Sequence, residues 1–310
     1  MSSAARIAVI GLGSMGLGMA RSALRAGHIV VGCDVNPASL QMLAAAGGKT
    51  AATPALAAVG ADIVAVVVVN AEQTKTVLFG ENGAIHALKP GSVIISSATL
   101  SPTDAKDFAA RAAEHQVLYL DAPISGGAAK AGEGRLTVMA SGSADAFLAA
   151  RPALDAMAET VYELGNEAGI GSSFKIVNQL LAGVHIAAAC EAITFAKRLD
   201  LDISKVFEVI SKSAGNSWMF ENRIPHVLAG DYSPKSAVDI FTKDLGIVSD
   251  IGRQQKFPLP VASAALQLFL MTSASGMGRD DDASVARLYA NITGLELPAP
   301  APEQTDVTAV

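Results

Sequence analysis

The sequence predicts an α/β protein: an N-terminal doubly wound sheet followed by an all-helical C-terminal domain, joined by a long buried helix. Three observations carry this. Up to about residue 165, short β-branched runs alternate with alanine-rich helical stretches, the pattern of parallel strands covered by helices. A glycine-rich stretch, GLGSMG at 11–16, follows the first such run and opens a helical pattern. After Gly169 only helical periodicity remains.

Strands are expected at Arg6–Ile10, Ile29–Cys33, Asp62–Val69, Ser92–Ser96, Val117–Leu120, Leu136–Ala140 and Thr160–Glu163. Helices are expected at Ile170–Leu199, Ser204–Ser211, Pro234–Gln255, Pro260–Ser275 and Ala283–Asn291. The first of these is apolar on nearly all sides, so it is expected to be a buried spine. The domain boundaries that follow are 1–166 and 167–297, with a proline-rich, polar mobile tail at 298–310.

The 310 residues suffice for two cores, and 51% apolar with 17% charged residues marks a globular chain. A net charge of -6 without a long basic run argues against nucleic acid or an anionic membrane as partner. Cys33 and Cys190 make neither a disulfide framework nor a metal-ligand spacing, which suits a reducing cytoplasm. The start of the chain lacks a signal-peptide pattern, and the run IVAVVVV at 63–69 is too short to span a bilayer. Histidines 28, 86, 115, 185 and 226 show no paired-ligand spacing, so no metal is expected.

In the loop of Gly11, Leu12, Gly13, Ser14, Met15 and Gly16, the first glycine permits a tight turn. The second lets backbone approach a pyrophosphate, and the third brings helix close to strand. Free amides and the positive end of the helix dipole then face the phosphates. This is the dinucleotide fingerprint of a Rossmann domain. The next strand ends at Asp34, whose carboxylate suits the adenosine ribose hydroxyls and repels a 2′-phosphate. NAD is therefore expected over NADP, and Asn36 supplies no cation to reverse that. A polar residue at a strand end is the bland alternative for Asp34.

Four blocks, in order, resemble the β-hydroxyacid dehydrogenases, relatives of 3-hydroxyisobutyrate dehydrogenase and tartronate semialdehyde reductase. They are VIGLGSMGLGMA, LDAPISGGAAKAGEGRLTVMASG, GIGSSFKIVNQ and FTKDL, and the likeness spans residues 6 to 292. Within the family, AGNSWMFENR and VDIFTKDLGIVSD look most like the branch that oxidises a four-carbon sugar acid at C2. The resemblance implies an NAD-dependent hydroxyacid dehydrogenase, with Lys175 as the catalytic residue and Asn178 helping to hold substrate. It also implies a carboxylate site at Ser125, Gly126 and Gly127, and cofactor contacts from Asn70, Thr99 and Lys243. Ser96 stands where relatives often have aspartate.

The chemistry supports the carry-over. Alcohol oxidation by hydride transfer needs a base for the hydroxyl proton, and a lysine serves if its pKa is lowered toward the working pH. Lys175 lies near the start of a helix, where the dipole and apolar surroundings both disfavour the ammonium. Asn178 and Gln179 follow on the same helical face. A lysine snorkelling to the surface is the competing reading. Ser-Gly-Gly leaves amides able to cradle a carboxylate, though such a triplet also makes a plain turn. Asn216, Ser217 and Asn222 offer hydrogen bonds suited to a polyhydroxy substrate, but such residues also cap helices.

The partner expected is thus a small sugar acid, in a homo-oligomer (dimer or tetramer) suggested by the apolar helical half. A non-catalytic NAD-binding module and an imine or small-aldehyde reductase on the same scaffold remain as rivals.

Overall fold

A computed structural model of the chain describes residues 4–300. Strands β1 (Arg6–Ile10), β2 (Ile29–Cys33), β3 (Lys49–Thr50), β4 (Ile63–Val66), β5 (Val93–Ser96) and β6 (Leu118–Asp121) form one sheet. Its order is β3-β2-β1-β4-β5-β6, and every pairing is parallel. The connections carry helices α1 (Ser14–Arg25), α2 (Pro37–Ala45), α3 (Pro54–Ala58), α4 (Ala71–Phe79) and α5 (Pro102–Glu114).

Because helices cover both faces, the central strands are apolar at successive positions rather than alternating. Ile7, Val9, Ile63, Ala65, Val93 and Ile95 enter one core, while Ala8, Ile10, Val64, Val66 and Ile94 enter the other. The strand order reverses between β1 and β4, and such a switch point is where open sheets bind ligands beyond their carboxyl ends. The strand expected at Asp62–Val69 stops at Val66. Val69 is exposed, and the following Asn70 is the N-cap of α4.

The sequence placed Leu136–Ala140 and Thr160–Glu163 in that same sheet, and here the structure differs. After β7 (Ile124–Ser125) and α6 (Gly127–Glu133), β8 (Leu136–Ala140) pairs antiparallel with β7. Following α7 (Ala144–Met157), β9 (Ala158–Glu163) pairs parallel with β8, making a separate three-stranded sheet. Two-residue strands such as β3 and β7 are too short for a periodicity to reveal.

Contacts divide the chain into two compact units after Val177, inside α8 (Ile170–Arg198) and beyond the expected boundary at 166. The second unit continues with α9 (Ile203–Ile210), α10 (Trp218–Ala229), α11 (Val238–Gln254), α12 (Pro260–Thr272) and α13 (Val285–Thr293). Helix α10 is not expected from sequence, because Pro225 interrupts its pattern. Helix α11 starts at Val238 rather than Pro234, the preceding residue Ala237 being bridged to Asp281. The tail expected at 298–310 lies, beyond Pro300, outside the described residues.

Helix α8 is long and apolar enough to cross a bilayer by length and composition alone, yet half of its most apolar stretch is buried, as in a core helix. The spine expected to be buried is so over only part of its circumference. Phe174, Val177, Leu181 and Phe195 are exposed.

Candidate active site

The first unit holds the glycine loop. Gly11 leaves β1 with φ +91°, and a Cβ there would lie 2.4 Å from the Val67 carbonyl oxygen. A Cβ on Gly16 would lie 1.9 Å from the Gly11 oxygen, so α1 passes too close for any side chain. Gly13 differs from both: it is exposed, and its Cβ would meet nothing within 4 Å. No side chain caps α1, whose N-cap is Gly13. Open space in front of uncapped helix amides fits a pyrophosphate.

Asp34 follows β2 and ties the loop together. Its Oδ2 accepts the Leu12 amide at 2.5 Å and its Oδ1 accepts the Asn36 amide at 2.7 Å. Each oxygen keeps a lone pair for a ribose hydroxyl. Burial, then the charge of Asp34, pushes the neighbouring Cys33 thiol up, so Cys33 stays neutral. Asn70 caps α4 by accepting the Gln73 amide at 2.8 Å, while Gln73 Oε1 accepts the Val69 amide at 3.0 Å. Among the described residues, no hydrogen bond uses the donors of the Asn70 amide nitrogen. Thr99, half-buried, lies beyond β5, one strand further along the sheet.

Ser125 ends β7, and Gly126 (φ +133°) and Gly127 (φ +76°) turn the chain into α6. Gly127 has open space at its Cβ position. Two successive positive-φ glycines beside a hydroxyl make a concavity that suits a carboxylate. The helix that follows this turn is clamped to α1. Ser22 Oγ donates to Ala131 O at 2.9 Å, Arg25 Nη2 donates to Gly132 O at 2.5 Å, and a Cβ on Gly18 would strike Gly132 N. Lys175 does not snorkel. It is only 8% exposed, and its Nζ donates to the Ile124 carbonyl at 2.8 Å, next to Ser125.

The second unit assembles a different group. Asn178 Nδ2 donates to Gln179 Oε1 at 3.0 Å, and Gln179 Nε2 donates to Asp244 Oδ2 at 2.5 Å. Lys243 Nζ lies 2.5 Å from Asp244 Oδ1. The candidate residues Asn178, Gln179 and Lys243 are thus joined through one buried carboxylate. Ser217 is the N-cap of α10, its Oγ accepting the Phe220 amide at 3.0 Å, which leaves its proton and a second lone pair for other partners. Asn216 Nδ2 donates to Ser211 O and Glu221 Oε1, and Asn222 accepts from Arg223. Among the described residues, no hydrogen bond links Ser217 to the Gln179–Asp244 group.

Two carboxylates emerge only in the structure. Asp244 falls on the face of α11 that also buries Phe241, Leu245 and Val248, and an acid at an apolar helical position is the sequence signal for it. Asp121 ends β6, fully buried. Its signal is an acid closing an apolar strand, the same signal that identifies Asp34.

Comparison with known proteins gives two family models in tandem. One, described as the NAD binding domain of 6-phosphogluconate dehydrogenase, matches residues 6–165. The other, described as NAD-binding of NADP-dependent 3-hydroxyisobutyrate dehydrogenase, matches residues 169–289. L-threonate dehydrogenase of Cupriavidus necator is 53% identical over 295 residues, covering 95% of this chain and 98% of that one. L-threonate dehydrogenase of Pectobacterium atrosepticum is 51% identical over 288 residues, with 93% and 95% covered. Among solved structures, 3-hydroxyisobutyrate dehydrogenase from Salmonella typhimurium superposes with a TM-score of 0.88 at 48% identity, covering 91% of this chain and 99% of that one.

Proposed function

This chain belongs to the β-hydroxyacid dehydrogenase family of NAD-dependent oxidoreductases, and we propose that it oxidises L-threonate at C2 to 2-oxo-tetronate. The observation that carries the substrate is near-full-length identity of about half with relatives that bear that name. Bound at the glycine loop, NAD supplies the acceptor for the hydride.

The protein's own residues do the rest. The Ser125 hydroxyl and the Gly126 and Gly127 amides hold the substrate carboxylate. Lys175 takes the hydroxyl proton as the hydride leaves carbon, and returns one in the reverse direction. Its burial beside the Ile124 carbonyl supports this reading, because a snorkelling lysine would be wet. Asn70 and Thr99 serve the cofactor from the ends of β4 and β5. Asn178, Gln179 and Ser217 serve the substrate, and Lys243 the cofactor, by the family pattern. The NAD-binding domain is assigned to 1–166 and the substrate and oligomerisation domain to 167–297.

The exposed apolar residues Phe174, Val177, Leu181 and Phe195 on α8 support a homo-oligomer in which a second copy covers that face. Free Cys33 and Cys190 support a reducing, cytoplasmic setting.

The name of the Salmonella structure favours a second reading, 3-hydroxyisobutyrate as substrate. A site built to pair hydroxyls is left with unmatched polar groups by a methyl-bearing acid, and such discrimination reaches about 10⁴. The test compares kcat/KM for L-threonate, D-threonate, D-glycerate and 3-hydroxyisobutyrate with NAD. L-threonate is expected to lead; a preference for 3-hydroxyisobutyrate would overturn the sugar-acid assignment, and glycerate as best substrate would point to a tartronate semialdehyde reductase.

A further inference from the structure

Asp121 is fully buried, and its side chain is held by donors from the start of α8 and from Ser141, the residue after β8. Oδ2 accepts the Gly169 and Ser172 amides, each at 2.8 Å, and Oδ1 accepts Ser172 Oγ at 2.7 Å. Ser141 also donates its hydroxyl to this carboxylate, while its Oγ accepts the Gly171 amide at 2.9 Å. A Cβ on Gly171 would strike the Met139 carbonyl oxygen at 2.4 Å. The first turn of α8 is therefore seated on Asp121 without slack.

Three residues further along the same segment, the Ile124 carbonyl accepts Lys175 Nζ at 2.8 Å. Three residues beyond Ser172 on the helix is Lys175 itself. The segment and the helix are thus fastened at two matching rungs, 121 to 172 and 124 to 175. Immediately after the second rung comes the Ser125–Gly127 turn.

A neutral side chain could cap these amides at less desolvation cost than a buried carboxylate. Burial does push the Asp121 carboxyl above the usual carboxylate range, with the Ser172, Gly169 and Ser141 bonds pulling it back. Retaining an acid here calls for a reason beyond capping.

We propose that Asp121 is a positioning residue for Lys175, holding the start of α8 in register with the Asp121–Ser125 segment so that the amine is presented beside the carboxylate cradle. Its charge has a second effect. A carboxylate about one helical turn away favours the ammonium, opposing the helix dipole and burial, and so keeps the lysine from losing its proton too early. The inference rests on the reading of Lys175 as the proton-transfer group.

The test uses the full chain carrying Asp121→Asn, which keeps an acceptor for the two amides and loses the charge. The expected result is a fall in kcat of about ten- to a hundredfold, the usual scale of a displacement near 1 Å. The Kd for NAD, read by fluorescence, is expected to stay within about twofold, since the glycine loop is untouched. The acid limb of the kcat–pH profile for alcohol oxidation is expected to move to lower pH, because the ammonium has lost a favourable charge. Wild-type kcat with an unmoved limb overturns the inference. So does a loss of kcat that matches the loss of folded protein by circular dichroism with the limb unmoved, which makes Asp121 merely structural. If Asp121→Asn does not fold, Ser172→Ala loses one donor and keeps the charge; a several-fold lower kcat with the limb in place supports the inference, and unchanged kcat overturns it. Lys175→Ala, measured alongside, separates the two readings. Near-normal kcat in that variant removes Lys175 from the mechanism whatever Asp121→Asn does.

Discussion

The carboxylate of Asp244, 1% exposed, receives Gln179 Nε2 on one oxygen at 2.5 Å. Its other oxygen faces Lys243 Nζ at 2.5 Å. A single side chain thus fixes two residues that sequence singles out separately. Asp244→Ala leaves a buried amide donor and a largely buried ammonium unmatched, which is expected to cost about 3 kcal/mol of stability. Urea unfolding of wild type and variant measures it. A loss under about 0.5 kcal/mol would mean the pair behaves like an exposed one.

Gly13→Ala separates fold from cofactor. Gly13 has an ordinary φ of -64° and empty space where a Cβ would sit. Alanine is therefore expected to fit without a clash and to leave stability within about 1 kcal/mol of wild type, the restricted unfolded state offsetting a poorer N-cap. In the proposed binding mode that same methyl stands where the backbone approaches the pyrophosphate, so Kd for NAD is expected to rise at least about tenfold. Thermal unfolding and fluorescence titration read the two effects. Unchanged NAD affinity would move the pyrophosphate away from Gly13. Gly16→Ala is the contrast, since its methyl would overlap the Gly11 oxygen and damage the fold itself.

What sequence could and could not show follows from how each feature is encoded. The glycine loop and Asp34 are local, a strand, a turn and a helix in succession, and their spacing is their meaning. Lys175 is legible as an anomaly, a cation among apolar residues. The separate small sheet is not legible, because β7 has two residues and its pairing depends on the φ of Gly126 and Gly127. Nor is the role of Ser217, since capping α10 and binding a hydroxyl ask for the same side chain. Asp121 acts on residues 48 and 51 positions away in sequence, a distance at which no periodicity speaks.

The second unit carries a pH signature. Burial pushes Asp282 up to about 6, although Arg223 Nε and Nη2 approach its oxygens at 2.6 and 3.0 Å and favour the charge. Unfolded, such a carboxyl loses its proton near 3.8. The folded state therefore holds a proton that the unfolded state has released, and the associated stability is full below about 3.8 and lost as pH rises through about 6. Asp281 next to it shifts the other way, lowered by His226 and by the Ala283 and Lys235 amides against the opposing effect of burial. Its contribution is present above its unfolded pKa and is lost as pH falls through its lowered folded pKa. Asp282→Asn removes the first effect and retains Asp281. The difference in unfolding free energy between wild type and variant is expected to change by about 1 kcal/mol per pH unit between pH 4 and 6. Parallel curves for the two proteins would assign Asp282 an ordinary titration.

The proposed ribose contact makes Asp34 and the residue after it the place to test cofactor choice. Both Asp34 oxygens already hold loop amides, so Asp34→Ala would loosen Leu12 and Asn36 as well as the ribose site. Asp34→Asn is the cleaner change, because it keeps an acceptor while removing the charge that repels a 2′-phosphate. Val35 is fully exposed, leaving room for a long cation beside the same position. In Asp34→Asn with Val35→Arg, one repulsion is lost and one charge-assisted contact is gained. Together these are worth about 3 kcal/mol, or about a hundredfold in the ratio of kcat/KM for NADP over NAD. The single variant Asp34→Asn should lower kcat/KM for NAD while gaining little with NADP, and thermal unfolding of both variants reports whether the loop has survived. A ratio equal to that of the wild type in a stably folded double variant would show that Asp34 does not face the ribose.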